Sequence, residues 1–393
     1  MTTIQRLSHA EIVERAAGLV PLLRKHAGWA DENRRLHDEV IEALADAGVF
    51  RLRVPARYGG FEAGTRTAVD VAVELGRGDG AVGWTTSVWQ IPGWMVGLFP
   101  DEVQDEVYAT PDVRVCGTLS PSAMATPRPG GYTLTGRWGF MSGALHSHWQ
   151  VAIALVERPG GEMEPVLALV PMADLEIVDD WHTTGLRGSG SVTTVAEDVF
   201  VPEARVLPMM ALMTQQSASV RNADVAMYKV PVAAVASACS VGNVVGMARG
   251  AWDCFFERLP DRKITYTGYA SQREAAITHL QVAEARVTID EAEFHARRIA
   301  DFVDAKAAEA APWTDRERAE ARLAMGATCK RALEAVDVLY GASGGSSIFA
   351  DVAIQRSWRD LHALTQHALN TPHILYEIYG RVECGLEPNT QFF

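Results

Sequence analysis

Residues 136–149 read GRWGFMSGALHSHW, and the interpretation of the whole chain starts from this stretch. Two short runs of alternating residues, 132–135 and 150–155, flank it, and their period of two predicts strands with one buried face. We expect the two strands to pair and to hold the stretch rigidly between them. Aromatic rings, glycines, a serine and two histidines together are unusual for a plain connection.

The stretch contains the residue types that hold a planar ligand. Trp138 or Phe140 can lie against a ring, and the hydroxyl of Ser142 can donate a hydrogen bond to it. Gly143 lets the backbone come close to a flat molecule. The alternative is a hydrophobic strand turn with an incidental serine, and these residues alone do not separate the two interpretations.

The charge of the chain argues against several classes of partner. The 393 residues carry a formal net charge of -13, with a sequence pI near 5.3, whereas nucleic acids and anionic membranes call for a basic face. The length indicates two or three domains. The N-terminal segment is charged where a signal peptide is apolar, and no uninterrupted apolar run is long enough to span a bilayer. We therefore expect a cytoplasmic protein.

The five cysteines predict neither a disulfide framework nor a zinc site. They are scattered without CxxC spacing, and their number is odd, which is typical of reduced, buried thiols in a reducing compartment. The five are Cys116, Cys239, Cys254, Cys329 and Cys384.

The periodicity of the sequence predicts an α+β protein with three domains. Residues 1–110 read as amphipathic helices, among them one at about 67–78 and one at about 82–99. Residues 111–215 change to a period of two between glycine and proline, which predicts a β barrel or sandwich. Residues 216–393 are helical again and predict an antiparallel four-helix bundle. Its long amphipathic segments are 232–259, 271–307, 315–340 and 358–382.

The helix expected at 82–99 is rich in tryptophan. Trp84, Trp89 and Trp94 lie close together in one apolar segment. Tryptophans in such a segment are more often part of a core, but they also wall aromatic binding pockets. Both interpretations stay open at this point.

Four stretches of the chain resemble the acyl-CoA dehydrogenase superfamily, and within it the flavin-dependent monooxygenases. Residues 44–60 are similar to a sequence motif near the start of the family's proteins, and residues 184–202 are similar to the motif at the end of its β domain. Residues 341–360 resemble its glycine-rich loop and the Arg-Asp pair that follows. In the opening stretch, Phe140 and Ser142 occupy the places where dehydrogenases usually have a tryptophan and a threonine against the flavin. The resemblance implies the three-part fold of this superfamily.

One departure favours the monooxygenases. After the Arg-Asp pair, dehydrogenases often carry a Tyr-Glu-Gly-Thr phrase whose carboxylate removes the alpha proton of an acyl thioester. Here the chain reads His367, Ala368, Leu369 and Asn370 instead. Phenol-hydroxylating relatives have a histidine after this pair. An acyl-CoA dehydrogenase with its base elsewhere, at Glu257 or Glu284, is the alternative.

The resemblance implies the oxygenase component of a two-component system. Such enzymes take reduced flavin, FADH2 or FMNH2, from a separate NAD(P)H-dependent reductase. The reduced flavin and O2 form a C4a-hydroperoxyflavin that hydroxylates an aromatic substrate. Ser142 would lie near flavin N5, with Trp138, Phe140 and Gly143 around the ring. His367 would take a proton from the substrate, since the pKa of imidazole lies near neutrality.

Further positions carry weaker expectations. Arg262 resembles the arginine that meets flavin phosphate in relatives, or it is a surface arginine at a helix end. Gly344 and Gly345 resemble a loop that approaches a neighbouring cofactor in tetrameric relatives, or they only break a helix. A homotetramer is expected because the bundles of relatives pack together. His146 is a candidate for the substrate pocket, although loop histidines are usually solvated or bonded to backbone.

The substrate expected from the sequence is an aromatic ring system. Phenol hydroxylases of this branch tend to carry another histidine on the tryptophan helix, and this chain has none between His37 and His146. An indole or polycyclic substrate resting on Trp84, Trp89 and Trp94 is therefore considered beside a phenol. An N- or S-oxygenase and a non-catalytic flavin-binding protein of the same fold remain alternatives.

Overall fold

The structure is a computed structural model that describes residues 7–309, 311–390 and 392–393. Helices come first, a mixed sheet follows and helices fill the C-terminal half, which confirms the α+β plan. The first six residues, part of the N-terminal segment used to predict the compartment, lie outside the described residues. The domain limits at 110 and 215 stay predictions, and the first falls between a helix ending at Val107 and a strand beginning at Val115.

In the part of the chain that the structure describes, five α-helices precede the sheet. The side chain of Ser8 accepts a hydrogen bond from the backbone N–H of Glu11, and the Glu11 carboxylate accepts from the Ser8 N–H, so the first helix begins with a capping box. Asp79 is extended and caps the fourth helix through the N–H of Ala81. The helices are α1 (His9–Asn33), α2 (Asp38–Asp46), α3 (Thr65–Gly78), α4 (Gly80–Val96) and α5 (Asp101–Val107). Helices α3 and α4 confirm the two expected elements.

Eight strands form one mixed sheet. They are β1 (Val115–Gly117), β2 (Ala123–Arg128), β3 (Gly131–Met141), β4 (Trp149–Glu157), β5 (Met163–Pro171), β6 (Glu176–Val178), β7 (Val192–Pro202) and β8 (Val206–Pro208). The strand order is β6-β7-β3-β2-β4-β5-β8, and β1 pairs in parallel with β4. The expected pairing of the strands on either side of residues 136–149 is therefore wrong. A tight turn between Arg128 and Gly131 brings β2 onto β3, so β2 lies between β3 and β4.

The C-terminal half is a helical bundle. Its helices are the short α6 (Met209–Met213), α7 (Val232–Arg258), α8 (Ala276–Glu309), α9 (Asp315–Ala342), α10 (Ala353–Leu364) and α11 (Pro372–Glu383). The single helix expected at 358–382 is wrong, because the chain leaves α10 at Thr365 and starts again at Pro372. The residue before a proline disfavours helical geometry, and Thr371 is extended. His367 therefore lies in a turn between two helices.

Helix α7 is the central helix of the bundle. Residues 232–261 are long and apolar enough to cross a membrane by length and composition, but 94% of the apolar window is buried inside the protein. Gly242 and Gly246 lie one turn apart and face α3, where a Cβ atom would come within 2.3 Å of the Val69 carbonyl oxygen and 2.4 Å of the Val73 carbonyl oxygen. These glycines let the two helix backbones approach closely.

A buried carboxylate joins the bundle to the sheet domain. Asp360 on α10 accepts a hydrogen bond from the backbone N–H of Leu186 at 2.6 Å. Burial and the nearby carboxylate of Asp79 raise the pKa of Asp360 to about 7. Burial also raises the pKa of Asp79. The pair therefore favours a bound proton in the folded protein at neutral pH.

We expect Asp360→Asn to change how stability depends on pH. A carboxyl whose pKa is raised by folding stabilises the folded state below its unfolded pKa of about 3.9, and this contribution is lost as the pH rises through about 7. Asparagine keeps an oxygen for Leu186 and carries no charge. Urea unfolding at pH 5 and pH 8 should show the variant gaining stability relative to wild type at the higher pH. The exposed Asp351→Asn is the control, and parallel pH profiles for Asp360→Asn and wild type would contradict the assignment.

Candidate active site

An apolar cavity lined in part by the opening stretch lies between α4, the sheet, α7 and the turn after α10. Its volume is about 160 Å³. An engineered apolar cavity of about 150 Å³ binds benzene, so this one has room for an aromatic ring. The cavity is lined mainly by apolar side chains, with a few hydroxyls and one imidazole. The lining residues are Trp84, Val88, Ile91, Pro92, Met95, Gly117, Thr118, Leu119, Ser120, Phe140, Ser142, Val151, Ala236, Ser240, His367, Ala368, Leu369 and Phe392.

Trp84 connects the two predicted catalytic residues. Its indole Nε1–H donates to the Ser142 hydroxyl oxygen at 3.0 Å. Its ring meets the edge of the His367 imidazole, with 5.1 Å between the ring centroids. Ser142 and His367, which are 225 positions apart in the sequence, therefore line one cavity on either side of the same indole.

Ser142 is the first of three buried hydroxyls in contact. The hydroxyl oxygens of Ser142 and Ser191 are 2.7 Å apart, as are those of Ser191 and Ser189, and Ser189 donates to the Leu186 carbonyl. When Ser189 donates in this direction, Ser191 donates to Ser189 and Ser142 donates to Ser191, so the Ser142 proton is not available to a ligand. The Leu186 oxygen also accepts from the Trp181 indole N–H, so the chain of hydroxyls can reverse without leaving that oxygen unpaired. In the reversed direction the Ser142 proton is free for a ligand.

Phe140 presents an apolar ring outside the core. It is 74% exposed, its φ is +60°, and its ring packs only edge-on against Trp181 at 5.8 Å. The pairing of β3 with β7 is irregular between Trp138 and Met141, and this irregularity turns Phe140 outward. A strained, exposed aromatic residue at the rim of a cavity indicates a surface that a flat ligand covers.

His367 reaches the cavity from the turn between α10 and α11. Its side chain lines the cavity, and although part of its surface is accessible, protein atoms surround the imidazole closely. Burial and the positive charge of Arg322 lower the pKa of His367 to about 4. The imidazole is therefore neutral at pH 7. Its Nδ1 accepts from the backbone N–H of Leu369 at 3.2 Å, which leaves the proton on Nε2.

The structure does not bring two of the three predicted tryptophans to this cavity. Trp94 is buried in the core, and its indole N–H donates to the Met227 carbonyl. Trp89 donates to the Ser147 hydroxyl and lies against Phe50. Residues five and ten positions after Trp84 fall on other faces of a helix, so both rings lie away from this cavity, and their contact with a substrate stays a prediction.

Trp138 also lies away from this cavity. It is completely buried in the sheet domain, where its indole N–H donates to the Ile153 carbonyl at 2.9 Å. Its partners are therefore part of the protein core, and it does not line the cavity. Residues of the cavity wall that the sequence interpretation missed follow the helix face of Trp84. They are Val88, Ile91 and Met95. Starting from Trp84, spacings of four, three and four residues are typical of one helix face, so the sequence pattern could have identified them.

Gly143 and His146 pack against other parts of the protein and do not line the cavity. Gly143 has φ +74°, and a Cβ atom there would lie 2.5 Å from the Trp89 indole nitrogen, so the glycine is required for packing against α4. His146 is largely buried and does not line the cavity. Burial and the charge of Arg35 lower the pKa of His146 to about 4. A contact of His146 with the substrate stays a prediction.

Arg262 belongs to a second polar cluster, outside the cavity. Arg258 and Arg262 both donate to the Ser346 hydroxyl, at 3.0 and 3.1 Å, and Arg262 also donates to Gln272. The Arg258 Nη1 is buried and has no hydrogen-bond partner. Gly344 has φ +64° and a Cβ atom there would lie 2.6 Å from the Arg262 guanidinium, whereas Gly345 faces open space. Two neighbouring guanidinium groups, one with an unpaired donor, are groups that can bind an anion such as phosphate.

A possible metal cluster lies elsewhere. One ligand atom each of His26, His37 and Glu39 fall within 4.8 Å of one another. The Glu39 oxygen nearest His26 is already bonded to both His26 and Lys25, and the two imidazoles are stacked. These contacts are complete without a metal ion.

The comparisons with known proteins agree with the observed fold. The family model described as acyl-CoA dehydrogenase, N-terminal domain, matches residues 11–113, and the model described as acyl-CoA dehydrogenase, C-terminal domain, matches residues 238–372. The chain is 32% identical over 377 residues to a flavin-dependent monooxygenase oxygenase subunit, HsaA, of Rhodococcus jostii strain RHA1. That match covers 95% of this chain and 98% of the relative.

Two further matches are similar in extent. An FADH(2)-dependent resorcinol hydroxylase, oxygenase component, of Rhizobium sp. strain MTP-10005 is 30% identical, over 99% of this chain and 97% of its own. The structure of XiaF from Streptomyces sp. in complex with FADH2 and glycerol superposes with a TM-score of 0.92, at 28% identity and 98% coverage of both chains. The chain therefore belongs to the acyl-CoA dehydrogenase family and, within it, to the oxygenase components of flavin-dependent monooxygenases.

Proposed function

We propose that this oxygenase component hydroxylates an aromatic substrate held in the cavity beside Trp84. It uses O2 and reduced flavin delivered by a separate NAD(P)H-dependent reductase, in the cytoplasm. The observation that carries the proposal is that Ser142 and His367 line one apolar cavity, joined by Trp84. The resorcinol hydroxylase among the relatives acts on such a ring, as its name says.

The residues at the rim fit a flavin. Phe140 offers an exposed ring for stacking, and Ser142 next to it offers a hydroxyl whose proton can point into the cavity. The cluster of Arg258, Arg262 and Ser346 offers donors for phosphate, a group that FMN and FAD share. Reduced flavin, when bound, supplies the electrons with which one atom of O2 is transferred to the substrate.

The cavity suits the binding of an apolar ring better than the dehydrogenation of an acyl thioester. Among the described residues that line it there is no carboxylate, so the base that dehydrogenation needs is missing there. Glu257 is bonded to Arg24, and Glu284 is exposed on α8, so neither alternative base lines the cavity. The apolar walls exclude water from the reacting atoms, and His367 meets the oxygen or nitrogen substituent of the ring.

The first test measures oxygen transfer and its coupling in wild type and Ser142→Ala. With reduced flavin, O2 and a panel of phenols and indoles, wild type should give hydroxylated product. Ser142→Ala should release a larger share of the oxygen consumed as hydrogen peroxide, because the hydroxyl no longer orders the flavin side of the cavity. Product and peroxide are quantified together, with exposed Thr126→Ala as the control. Reduction of bound flavin by an acyl-CoA thioester, or equal coupling in both proteins, would contradict the proposal.

Arg262→Gln should weaken binding of FMN and FAD about tenfold, the effect expected for a charge-assisted hydrogen bond to phosphate. Riboflavin has no phosphate and should bind both proteins equally. Arg273→Gln, an exposed arginine of the same segment, is the matched control. Fluorescence titration with the three flavins measures the affinities, and an equal loss for riboflavin would show that Arg262 only stabilises the loop.

We propose a homotetramer, and α8 supplies a surface for it. Ile277, Leu280, Val287 and Phe294 are exposed by more than half and recur at spacings of three and seven residues, on one face of a 34-residue helix. No element among the described residues covers this face.

Replacing Leu280 and Phe294 together by Glu should lower the molar mass in solution, because charges are costly to bury between subunits. Light scattering after gel filtration measures the mass. Met163→Glu changes an exposed apolar residue on the sheet domain and should leave the mass unchanged. A monomeric wild type, or an unchanged double variant, would rule out this face as the contact.

A further inference from the structure

Arg322 is a buried cation without an acidic partner. It lies on α9, is 3% exposed, and makes one hydrogen bond, from Nη1 to the Ser237 hydroxyl at 3.3 Å. Its Nε has no partner, and no ion pair with a carboxylate is present for it among the described residues. Burial lowers the pKa of Arg322 to about 10, so the guanidinium is still charged at pH 7. A buried charge of this kind is strongly disfavoured unless something compensates it.

The uncompensated charge lies behind the His367 end of the cavity. Ser237 is on α7 next to Ala236 and three residues before Ser240, and both of these line the cavity. Arg322 also acts directly on His367, since its charge disfavours the imidazolium.

Other charged groups of the surrounding helices are engaged elsewhere. Arg318, one turn earlier on α9, donates to the Phe393 carbonyl. On α10, His362 is bonded to Asp337, and Asp360 accepts from the Leu186 N–H. On α4, the Trp84 ring is the group that faces His367. No acid among these neutralises Arg322.

The imidazole of His367 reinforces the effect of the guanidinium. Because Nδ1 accepts the Leu369 N–H, the neutral ring presents Nε2–H as a donor. An N–H donor that lies next to a positive charge binds an anionic oxygen well. The same positive charge disfavours protonation of the imidazole, so His367 is a poor proton acceptor.

We infer that Arg322 makes this end of the cavity select an aromatic substrate bearing a negatively charged oxygen, which His367 binds through its Nε2–H. This inference rests on the proposed function, and it changes the role of His367 from proton acceptor to donor. A phenol binds as its phenolate and releases its proton to solvent, while a carboxylate binds as it is. Arg322 is a positioning residue that acts through its charge.

The first experiment needs neither flavin nor reductase. 4-Nitrophenol changes absorbance on ionisation, so its pKa can be read while it is bound to the protein. Wild type should lower that pKa by at least one unit from its value in buffer, equal to a tenfold preference for the phenolate. Without a positive charge an apolar cavity raises the pKa of a phenol, so the opposite shift in wild type overturns the inference even if no variant folds.

The variants assign the effect to Arg322. Arg322→Met should remove at least one unit of the shift and Arg322→Lys should keep most of it, with exposed Arg316→Met as control. Benzoate tests whether a carboxylate is bound as well as a phenolate, and benzamide is its neutral counterpart. Benzoate and 4-nitrophenolate should each bind wild type at least tenfold more tightly than benzamide. Equal binding of benzamide, or no binding of either anion, overturns the inference.

A ligand-free measurement separates this inference from the proposed function. The His367 imidazole, followed by NMR, should titrate near pH 4 in wild type and at a higher pH in Arg322→Met, where burial still lowers its pKa but the positive charge is gone. An unchanged titration overturns the role of Arg322. If the anion binding and the His367 titration come out as expected but no oxygen is transferred to a substrate, the proposed hydroxylation is wrong and the role of Arg322 still holds.

Discussion

A set of buried polar contacts around residues 186–191 holds the site together. The backbone of Leu186 is fixed by Asp360 of α10, and the serines that follow carry a line of hydroxyls to Ser142 and on to the Trp84 indole. These contacts connect the turn before β7 to the helical bundle, to the end of β3 and to α4. Each donor and acceptor is buried, so an error in one position leaves another group without a partner, which is costly. The relative placement of the three parts of the chain is therefore narrowly defined at the cavity.

The apolar side of the cavity depends on that placement but has a different origin. Helix α4 supplies one continuous face through Trp84, Val88, Ile91 and Met95, and α7 supplies Ala236 and Ser240 opposite the same space. The close approach of α3 and α7 at their glycines fixes where α7 can lie. Polar contacts set the ends of the cavity, and helix packing sets its walls and volume.

Much of this was predictable from the sequence, and the failures have definite causes. The limits of α7 and α9 follow the apolar periodicity, and Ser142 and His367 both line the cavity. Regular strand alternation would put Trp138, Phe140 and Ser142 on one face. The irregular pairing of β3 with β7 instead buries Trp138 and turns Phe140 out, and such an irregularity depends on the partner strand. The break after α10 was readable from Pro372, whereas the contacts of Ser191 and Arg322 depend on residues far apart in the sequence.

The charges around the cavity show why this scaffold suits oxygenation rather than dehydrogenation. Removing an alpha proton from a thioester needs a negatively charged base, and a buried guanidinium next to that base would lower its proton affinity. Here the cavity wall has an imidazole whose pKa is lowered to about 4 and a cation behind it. This electrostatic environment stabilises an electron-rich, oxygen-bearing ring, because its negative charge is compensated. An aromatic ring with more negative charge is the better nucleophile, so the same charge that opposes dehydrogenation favours attack on an activated oxygen atom.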